Sequence, residues 1–313
     1  MSTIALLLPA RRRLPGAVPA PAAAALGRAD RSTAAAGGLA QLRRPYRLLP
    51  DHWPAAALTR QADAGDAAGA SWLRADPAHV APDINGARML GWGDGLGLDA
   101  EDAQALLPAL RPLFGDAGFQ LDAPHPSRWY LRLPPGTPLP GFTAPEDAVG
   151  DDLFLALPQG QDPVARRWRA LINEVQVVLH QHPWNRERAA AGKVAVNSLW
   201  FWGGGMLPDT VQAGYMNVRT PDPLLQALAR AAGASLATTA SSLDAPGGDS
   251  LIDLRHLRSL ELFGNQVLPP LLASMGRGEY DSLLLDFEDG LCLRLRPAQR
   301  WRFWRRPLLD LAG

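Results

Sequence analysis

The alternation of short apolar runs with amphipathic segments along the chain is the feature that most constrains its fold. The clearest amphipathic segment has Asp162 in the N-cap position, Pro163 at the first helical position, and apolar residues on one face as far as Leu179. Buried strands are predicted over three short apolar runs, at residues 4–8, 128–133 and 194–202. Because the two kinds of segment interleave along the whole chain, we expect a layered α/β sheet.

Turn and capping residues predict further elements. Asp99 is a candidate N-cap for a helix that Pro108 shortens or kinks, and Asp222 begins another short helix. Additional helices are predicted over residues 20–31 and 251–263, loops over 76–83 and 134–160, and an antiparallel hairpin over 283–287 and 291–295 with its turn at 289–290.

Composition sets limits on size and partners. The chain has 313 residues, of which 47% are apolar and 20% charged, so it can bury a substantial core. A single domain over residues 1–313 is therefore expected. Lysine plus arginine equals aspartate plus glutamate at 31 each, so no overall field attracts a nucleic acid or an anionic membrane.

The amino-terminal residues bear on localisation. The apolar run at residues 4–8 precedes Arg11, Arg12 and Arg13, whereas a secretory signal has its positive charges before a longer apolar run. No stretch approaches the roughly 18 consecutive apolar residues of a membrane-spanning helix. We therefore expect a cytoplasmic protein with no membrane partner.

The single cysteine, Cys292, excludes an intramolecular disulfide and a multi-cysteine zinc site. Strand alternation places it on the face opposite the neighbouring leucines, which predicts a buried packing role. The alternative is a reactive thiol, because Arg294 and Arg296 nearby can lower its pKa.

The carboxyl-terminal segment 294–306 combines six arginines with Trp301, Phe303 and Trp304 and has no acidic residue. Arginine and aromatic side chains together can dock an acidic protein or stack on bases. Salt bridges back to an acidic surface of the same chain are the more ordinary explanation, and nucleic-acid binding is disfavoured.

A second unusual run covers residues 180–188 and 197–205, where Asn197-Ser198-Leu199-Trp200-Phe201-Trp202 leads into three glycines. Exposed N–H groups in such a turn can cradle an anion, although a tight turn alone also requires glycine. Residues 182–205 resemble archaeal-type cofactor-independent phosphoglycerate mutases, which share an Asn-Arg pair and an Asn-x-x-Trp-x-Trp-Gly-x-Gly element. The resemblance is fainter at residues 128–133.

This resemblance implies a layered α/β/α sheet of the alkaline-phosphatase and phosphoglycerate-mutase type. Over most of its length the chain is also similar to the RpfE-type regulatory proteins of bacteria. That similarity rests on four stretches, residues 72–77, 83–88, 129–134 and 182–205. It implies a regulatory role.

The chain departs from the mutases where their first metal ligand follows the first strand. Those enzymes need two divalent metals, held by Asp and His, and a serine nucleophile. Here the corresponding turn is Pro9-Ala10-Arg11-Arg12-Arg13, and arginines repel a cation. We therefore expect no metal and no cofactor. The alternative is an active mutase or phosphatase with two divalent metals such as manganese, whose ligands come from Asp76, Asp83, Asp94, His182, Asp253 and His256.

Arginine and asparagine side chains suit a small phosphorylated or acidic ligand, because they offer forked or paired donors. The predicted ligand-binding residues are Arg128, Arg132, His182, Asn185, Arg186, Arg188, Asn197, Trp200, Trp202, Gly203, Gly204 and Gly205. Each also has a structural alternative, since buried asparagines often only satisfy backbone groups. Asp83, Asn85 and Arg88 have the same two interpretations, with a turn favoured for Asn85.

Taken together, these patterns predict a regulatory protein that binds, rather than transforms, a small anionic ligand or a protein partner. The first alternative is a metal-dependent phosphoglycerate mutase or related phosphatase. The second is an interaction module that uses the arginine- and tryptophan-rich segment 294–306.

Overall fold

The computed structural model describes residues 2–84, 86–150, 152–237 and 249–311. The chain forms two compact units: unit 1 consists of Met1–Leu49 and Thr210–Gly313, and unit 2 of Pro50–Asp209. The single domain expected over residues 1–313 stays a prediction. Asn85, for which a turn was predicted, lies outside the described residues.

Strands occur in both units. Their bounds are β1 (Thr3–Leu8), β2 (Asp30–Thr33), β3 (Tyr46–Leu49), β4 (Ser71–Asp83), β5 (Gly86–Trp92), β6 (Gln120–His125), β7 (Arg128–Leu133), β8 (Ser198–Gly205), β9 (Thr210–Ala213), β10 (Asn217–Arg219), β11 (Ser235–Ala237), β12 (Ser250–Asp253), β13 (Ser282–Phe287) and β14 (Leu291–Leu295).

Helices alternate with these strands. Their bounds are α1 (Ala20–Arg28), α2 (Gly38–Leu42), α3 (Ala55–Ala64), α4 (Ala100–Asp116), α5 (Pro145–Ala148), α6 (Leu153–Ala156), α7 (Pro163–His180), α8 (Trp184–Ala190), α9 (Pro223–Ala231), α10 (Leu260–Leu262) and α11 (Leu268–Gly276). A π-helical turn, Phe263–Val267, joins α10 to α11. None of the helices in the described part of the chain has the length and apolar composition that a membrane span requires.

Unit 1 is built on a seven-stranded sheet in the order β11-β10-β12-β1-β13-β14-β2. The first five strands are parallel, and β14 pairs antiparallel with both β13 and β2. Buried side chains of β1 and β13 pack in one cluster with Leu26 of α1 and Leu271 of α11. The predicted α/β fold class and its antiparallel hairpin are therefore confirmed.

Unit 2 is built on an antiparallel sheet in the order β5-β4-β7-β6, with β8 also paired to β4. Helices α4 and α7 pack against it through Leu110, Trp168 and Val175. Both helices begin as predicted: Asp99 forms a capping box with Asp102, and the Asp162 carboxylate accepts the Ala165 N–H. Helix α4 nevertheless runs for 17 residues through Pro108, so of the two expected effects of this proline a short helix is wrong, and a kink stays a prediction.

Two predicted elements are wrong in type. Residues 251–263 were expected to be helical, but β12 occupies their first part and lies between β1 and β10, and only residues 260–263 are helical. A short apolar run in a sequence is compatible with either a buried strand or a buried helix. Here the run forms a strand because it pairs with two neighbouring strands of the sheet. Residues 76–83 were expected to be a loop but belong to β4, in which Pro77 pairs with Leu199 and Pro82 with Ala87. The fixed φ of proline is compatible with an extended strand, and pairing with adjacent strands keeps this segment extended.

Cys292 is buried in β14, as predicted. Burial raises the pKa of its thiol above the ordinary value, with the Asp286 carboxylate acting in the same direction. This direction is opposite to the one that the alternative of a reactive, low-pKa thiol requires.

Only some of the arginines in the carboxyl-terminal segment 294–306 form ion pairs with acidic residues of the described chain. Arg296 and Arg302 both form ion pairs with Asp30, which matches the expected salt bridges to an acidic residue of the same chain. Three aromatic side chains nevertheless remain exposed, to 65% for Trp301, 78% for Phe303 and 68% for Trp304.

Candidate functional site

The mutase-like run at residues 182–205 lies in unit 2, where it forms α8, the following loop and β8. Strand β8 begins at Ser198 rather than at the predicted residue 194, and it pairs antiparallel with β4. Apolar side chains of β8, including Phe201, belong to the core that α4 and α7 cover. The side chains of residues 198–202 in this run are therefore buried in the interior of the unit.

Arg188 is held inside the protein by a set of specific contacts. Its guanidinium Nη1 donates to Asp102 Oδ2 at 2.5 Å, and its other nitrogens donate to the carbonyls of Val194 and Leu96. The side chains of Arg188 and Asp102 are 1% and 2% exposed. This pair joins α8 to the first turn of α4, and it leaves the Arg188 guanidinium no open direction toward solvent.

Asp102 is the acidic centre of this contact, and the sequence interpretation missed its role. It also accepts hydrogen bonds from Trp184 Nε1 at 2.8 Å and from the ammonium group of Lys193. Burial acts to raise the pKa of Asp102, but the hydrogen bonds from Arg188 and Trp184 outweigh burial and hold the pKa at about 2. The carboxylate is therefore ionised and fully partnered at neutral pH.

The two asparagines of the run fasten loops to their neighbours. The Asn185 amide donates to the carbonyls of Leu179 and Val196 and accepts the Val196 N–H. The Asn197 side chain accepts the Val80 N–H at 2.8 Å and donates to the Val80 carbonyl at 2.7 Å. All these bonds satisfy backbone groups, which was the structural alternative for these residues.

Both tryptophans of β8 are buried and use their indole N–H within the unit. Trp200 Nε1 donates to the Thr143 carbonyl at 2.9 Å, and Trp202 Nε1 donates to Asp76 Oδ2 at 2.7 Å. The cavity beside Trp200 has a volume of about 10 Å³. A space of this size accommodates about one water molecule, not a phosphorylated metabolite.

The three glycines at the end of β8 allow close packing against α3 and the residues before it. A Cβ on Gly203, which has φ of +65°, would lie 2.7 Å from the Ala55 Cβ. A Cβ on Gly205 would lie 2.9 Å from the Pro54 Cβ. These approaches explain why glycine is required at the two positions.

Arg128 lies at the start of β7 and forms a two-bond ion pair with Asp63, with both N–O distances 2.8 Å. The Tyr130 hydroxyl donates to the same carboxylate at 2.6 Å. Burial acts to raise the pKa of Asp63, but the bonds from Arg128 and Tyr130 outweigh it and hold the pKa below the ordinary value. The Arg128 guanidinium thus already has a carboxylate partner.

Three of the predicted ligand-binding residues are not held in the core by ion pairs or by hydrogen bonds from their side chains to distant groups. Arg132 of β7 and Arg186 of α8 are exposed and make no ion pair or side-chain hydrogen bond within the described ranges. His182 is half-buried; its Nδ1 accepts the Trp184 N–H, and burial lowers the pKa of the imidazole. The structure therefore gathers most of the predicted set in the core of unit 2 rather than around one open pocket, and their ligand-binding role stays a prediction.

A second group of polar residues, in unit 1, lies where the parallel strands β1, β10, β12 and β13 end. Arg11, directly after β1, donates from Nε to Asp289 at 2.8 Å, and Arg13 pairs with Glu288 at 3.3 Å. Two arginines of the triplet after the first strand, Arg11 and Arg13, are thus paired with the acidic residues that follow β13. The sequence interpretation did not foresee that acidic groups gather here.

The buried carboxylates at the same strand ends are also held by arginine. Arg44 forms two hydrogen bonds to Asp286. Arg255 forms two to Asp253, at 2.8 Å each, and one to Asp222 at 2.7 Å. These ion pairs place guanidinium groups against the carboxylates that lie at the strand ends.

Comparison with known proteins gives a partial match. No family model matches the chain. A probable 2,3-bisphosphoglycerate-independent phosphoglycerate mutase of Geobacter sulfurreducens is 42% identical over 64 residues, which are 20% of this chain and 16% of that protein. The mutase of Methanosarcina mazei is 39% identical over 66 residues, which are 21% of this chain and 16% of that protein. The match thus spans about one sixth of the length of these curated relatives.

Two solved structures align over most of the chain. The cofactor-independent phosphoglycerate mutase of Thermoplasma acidophilum has a TM-score of 0.42 and 14% identity, with 94% of this chain and 89% of that chain covered. A protein of Pyrococcus horikoshii has a TM-score of 0.47 and 12% identity, with 99% and 90% covered.

The expectation that the chain takes no cofactor is contradicted. The matched relatives are 2,3-bisphosphoglycerate-independent mutases, which normally use metal ions. Two buried acceptors at the strand ends of unit 1, Asp289 Oδ1 and Gln41 Oε1, have no hydrogen-bond partner among the described residues. Yet among the described residues no three His, Cys, Asp or Glu side chains come together as a ligand set. The described residues do not fit such metals, and we derive no reaction step through them.

The alternative ligands named from the sequence are dispersed. Asp76, Asp83 and Asp253 are each bonded to an arginine, and the six candidates are divided between the two units. The sequence matches to the two mutases establish a phosphoglycerate-mutase-like segment that covers about a fifth of the chain.

Proposed function

We propose that this chain is a bacterial, cytoplasmic regulatory protein of the RpfE type, built on a phosphoglycerate-mutase-like scaffold, which binds an anionic ligand or partner without converting it. Arg132 and Arg186 are the predicted ligand-binding residues whose guanidinium groups remain exposed. In this proposal the mutase-like segment has a structural role, because it forms part of the core of unit 2.

The observation that carries this proposal is the pairing of carboxylates with arginine at the strand ends of unit 1. Asp253, Asp286 and Asp289 are each bonded to a guanidinium group. Phosphoryl transfer needs groups that activate a nucleophile and stabilise the transferred phosphoryl group. The hydroxyl beside them, on Thr220, donates its proton to Asp253 at 2.7 Å and is buried. Asp253, the carboxylate that accepts this proton, is itself held by two hydrogen bonds from Arg255, which stabilise its ionised form and make it a weaker base.

We expect the purified full chain to show no conversion of 3-phosphoglycerate to 2-phosphoglycerate above the protein-free rate. The assay is an enolase-coupled measurement with Mn²⁺ or Mg²⁺ supplied in excess, so that the metal implied by the relatives is present. The Methanosarcina mazei mutase serves as positive control. Metal-dependent turnover that Asp253→Asn abolishes would contradict the proposal.

A second candidate function is the docking of an acidic protein surface on segment 294–306. The observation that favours it is the exposure of Trp301, Phe303 and Trp304 beside exposed arginines. Arg305 and Arg306 form no ion pair with any described residue. Exposed aromatic and arginine side chains together are typical of binding surfaces.

The triple variant Trp301→Ala/Phe303→Ala/Trp304→Ala tests this candidate in the full chain. We expect it to weaken binding of a hepta-glutamate peptide by roughly fivefold or more, because aromatic side chains at interface centres dominate binding energy. Anisotropy of a labelled peptide gives the affinity, and thermal unfolding checks that the variant folds. Tighter binding of a single-stranded oligonucleotide than of the peptide, or equal peptide binding by the variant, would refute docking of an acidic protein.

A further inference from the structure

Unit 1 contains a cavity that neither the mutase-like segment nor the strand ends explain. Its volume is about 220 Å³, and it lies between α1, α11 and the turn that follows β14. The apolar part of its wall comes from Leu272, Met275 and Leu295. Gly276, the last residue of α11, is exposed and lies at the opening.

The charged part of the wall is entirely cationic. Arg28, Arg296 and Arg300 line the cavity, and no Asp or Glu does. Asp30 bonds to Arg296 at 3.3 Å. The Arg28 and Arg300 guanidinium groups have no carboxylate partner in the described ranges, and Arg300 lies 5.0 Å from the ring centroid of Trp301.

Size and charge together define a ligand class. An apolar cavity of about 150 Å³ holds benzene, so this one holds an apolar body of roughly nine carbon-sized atoms. Guanidinium groups bind carboxylate or phosphate through paired donors. We propose that this cavity binds a free, small amphiphilic anion, with its apolar body against Leu272 and Leu295 and its anionic group between Arg28 and Arg300.

This inference rests on the anion-binding role proposed above but assigns it a site in unit 1 that does not include Arg132 or Arg186, and the two proposals can fail separately. If the cavity binds no ligand, the cavity proposal fails, and the proposal that the chain does not convert 3-phosphoglycerate is unaffected. If the chain converts 3-phosphoglycerate, the proposed function fails, and ligand binding to the cavity is still decided by a separate probe.

Octanoate is the probe, measured by isothermal titration calorimetry on the full chain. We expect saturable binding of one octanoate per chain. Octanol lacks the charge and acetate lacks the apolar chain, so each is expected to bind at least about tenfold more weakly. Arg300→Gln, an exposed substitution, is expected to weaken octanoate binding by roughly fivefold or more because it removes the charge-assisted contact.

Gly276→Leu is the blocking variant. Gly276 lines the cavity, and a Cβ there meets no atom within 4 Å, so the leucine fits the fold and adds bulk to the cavity wall. We expect it to abolish octanoate binding while the midpoint of thermal unfolding stays unchanged or rises. Gly115→Leu in α4 is the matched control, because Gly115 is also an exposed helical glycine with nothing within 4 Å.

Three results would overturn the inference. Octanoate binding that Gly276→Leu and Arg300→Gln leave intact would place the ligand elsewhere. Equal affinities for octanol and octanoate would show that the arginines do not contribute to binding. Binding to phosphatidylglycerol vesicles without binding of free octanoate would make the ligand a membrane lipid instead of a free molecule.

Discussion

Replacing Arg188 with leucine is expected to lower the free energy of unfolding of unit 2 by about 3 to 5 kcal/mol, because the change leaves the buried Asp102 carboxylate without its main partner. The loss also frees the carbonyls of Val194 and Leu96. Urea unfolding followed by tryptophan fluorescence at pH 7 measures it. A ligand-binding arginine on an open surface would give a far smaller loss.

Arg186→Leu is the matched control for this variant. Arg186 lies on the same helix two residues earlier and is exposed, so its replacement is expected to change stability by no more than about 0.5 kcal/mol. Equal effects of the two substitutions would contradict the assignment of Arg188 to the core.

Acid unfolding gives a second readout of the same pair. The pKa of Asp102 is about 2 in the folded chain against an ordinary value of 3.8. A depressed carboxylate pKa stabilises the fold above the unfolded pKa, and this contribution is lost as the pH falls through the folded pKa. Without Arg188, burial raises the pKa of Asp102, so the difference between the parent chain and Arg188→Leu should be largest at neutral pH and shrink as the pH falls toward about 2. A difference that grows in acid would have the wrong sign.

Replacing Asp76 with alanine is expected to cost a similar amount, about 3 to 5 kcal/mol, because it leaves the Arg74 guanidinium buried and uncompensated. The side chains of Arg74 and Asp76 are 6% and 0% exposed. Asp76 accepts two hydrogen bonds from Arg74, at 2.8 and 2.9 Å, and one from Trp202. Urea unfolding at pH 7 again provides the measurement.

Asp83→Ala is the control on the same strand. Asp83 pairs with Arg88 at 2.7 Å, but the two side chains are 32% and 50% exposed, so the loss should stay within about 1 kcal/mol. The double variant Arg74→Met/Asp76→Leu is expected to recover most of the stability, since apolar residues replace a buried ion pair well. A double variant as unstable as Asp76→Ala would mean that the pair has a role beyond packing.

Local patterns in the sequence predicted much of the fold. The helix beginning at Pro163 follows from one N-cap, one proline and a stripe of apolar residues within 18 positions. The hairpin of β13 and β14 likewise depends on a turn at Gly290 and two short apolar runs. Both signals are contained in the segment itself, so no tertiary partner is needed to recognise them.

The roles of the candidate site residues were not predictable in the same way. Arg188 and Asp102 are 86 positions apart, and Asn197 bonds to Val80 across 117 positions. Whether an arginine is exposed or buried depends on such distant partners, which no local pattern specifies. The same applies to the strand ends of unit 1, where Arg11 meets Asp289 only after the parallel sheet has formed.

The central claim is that this chain keeps a mutase-like segment as a structural core and does not interconvert phosphoglycerates. The most direct measurement is ³¹P NMR of 3-phosphoglycerate incubated with the full chain and excess Mg²⁺, a diamagnetic ion that leaves the phosphorus resonances sharp. The account predicts that the 3-phosphoglycerate resonance persists and that no 2-phosphoglycerate resonance grows above the protein-free sample. A 2-phosphoglycerate signal that approaches its equilibrium intensity, and that Asp253→Asn removes, would contradict it.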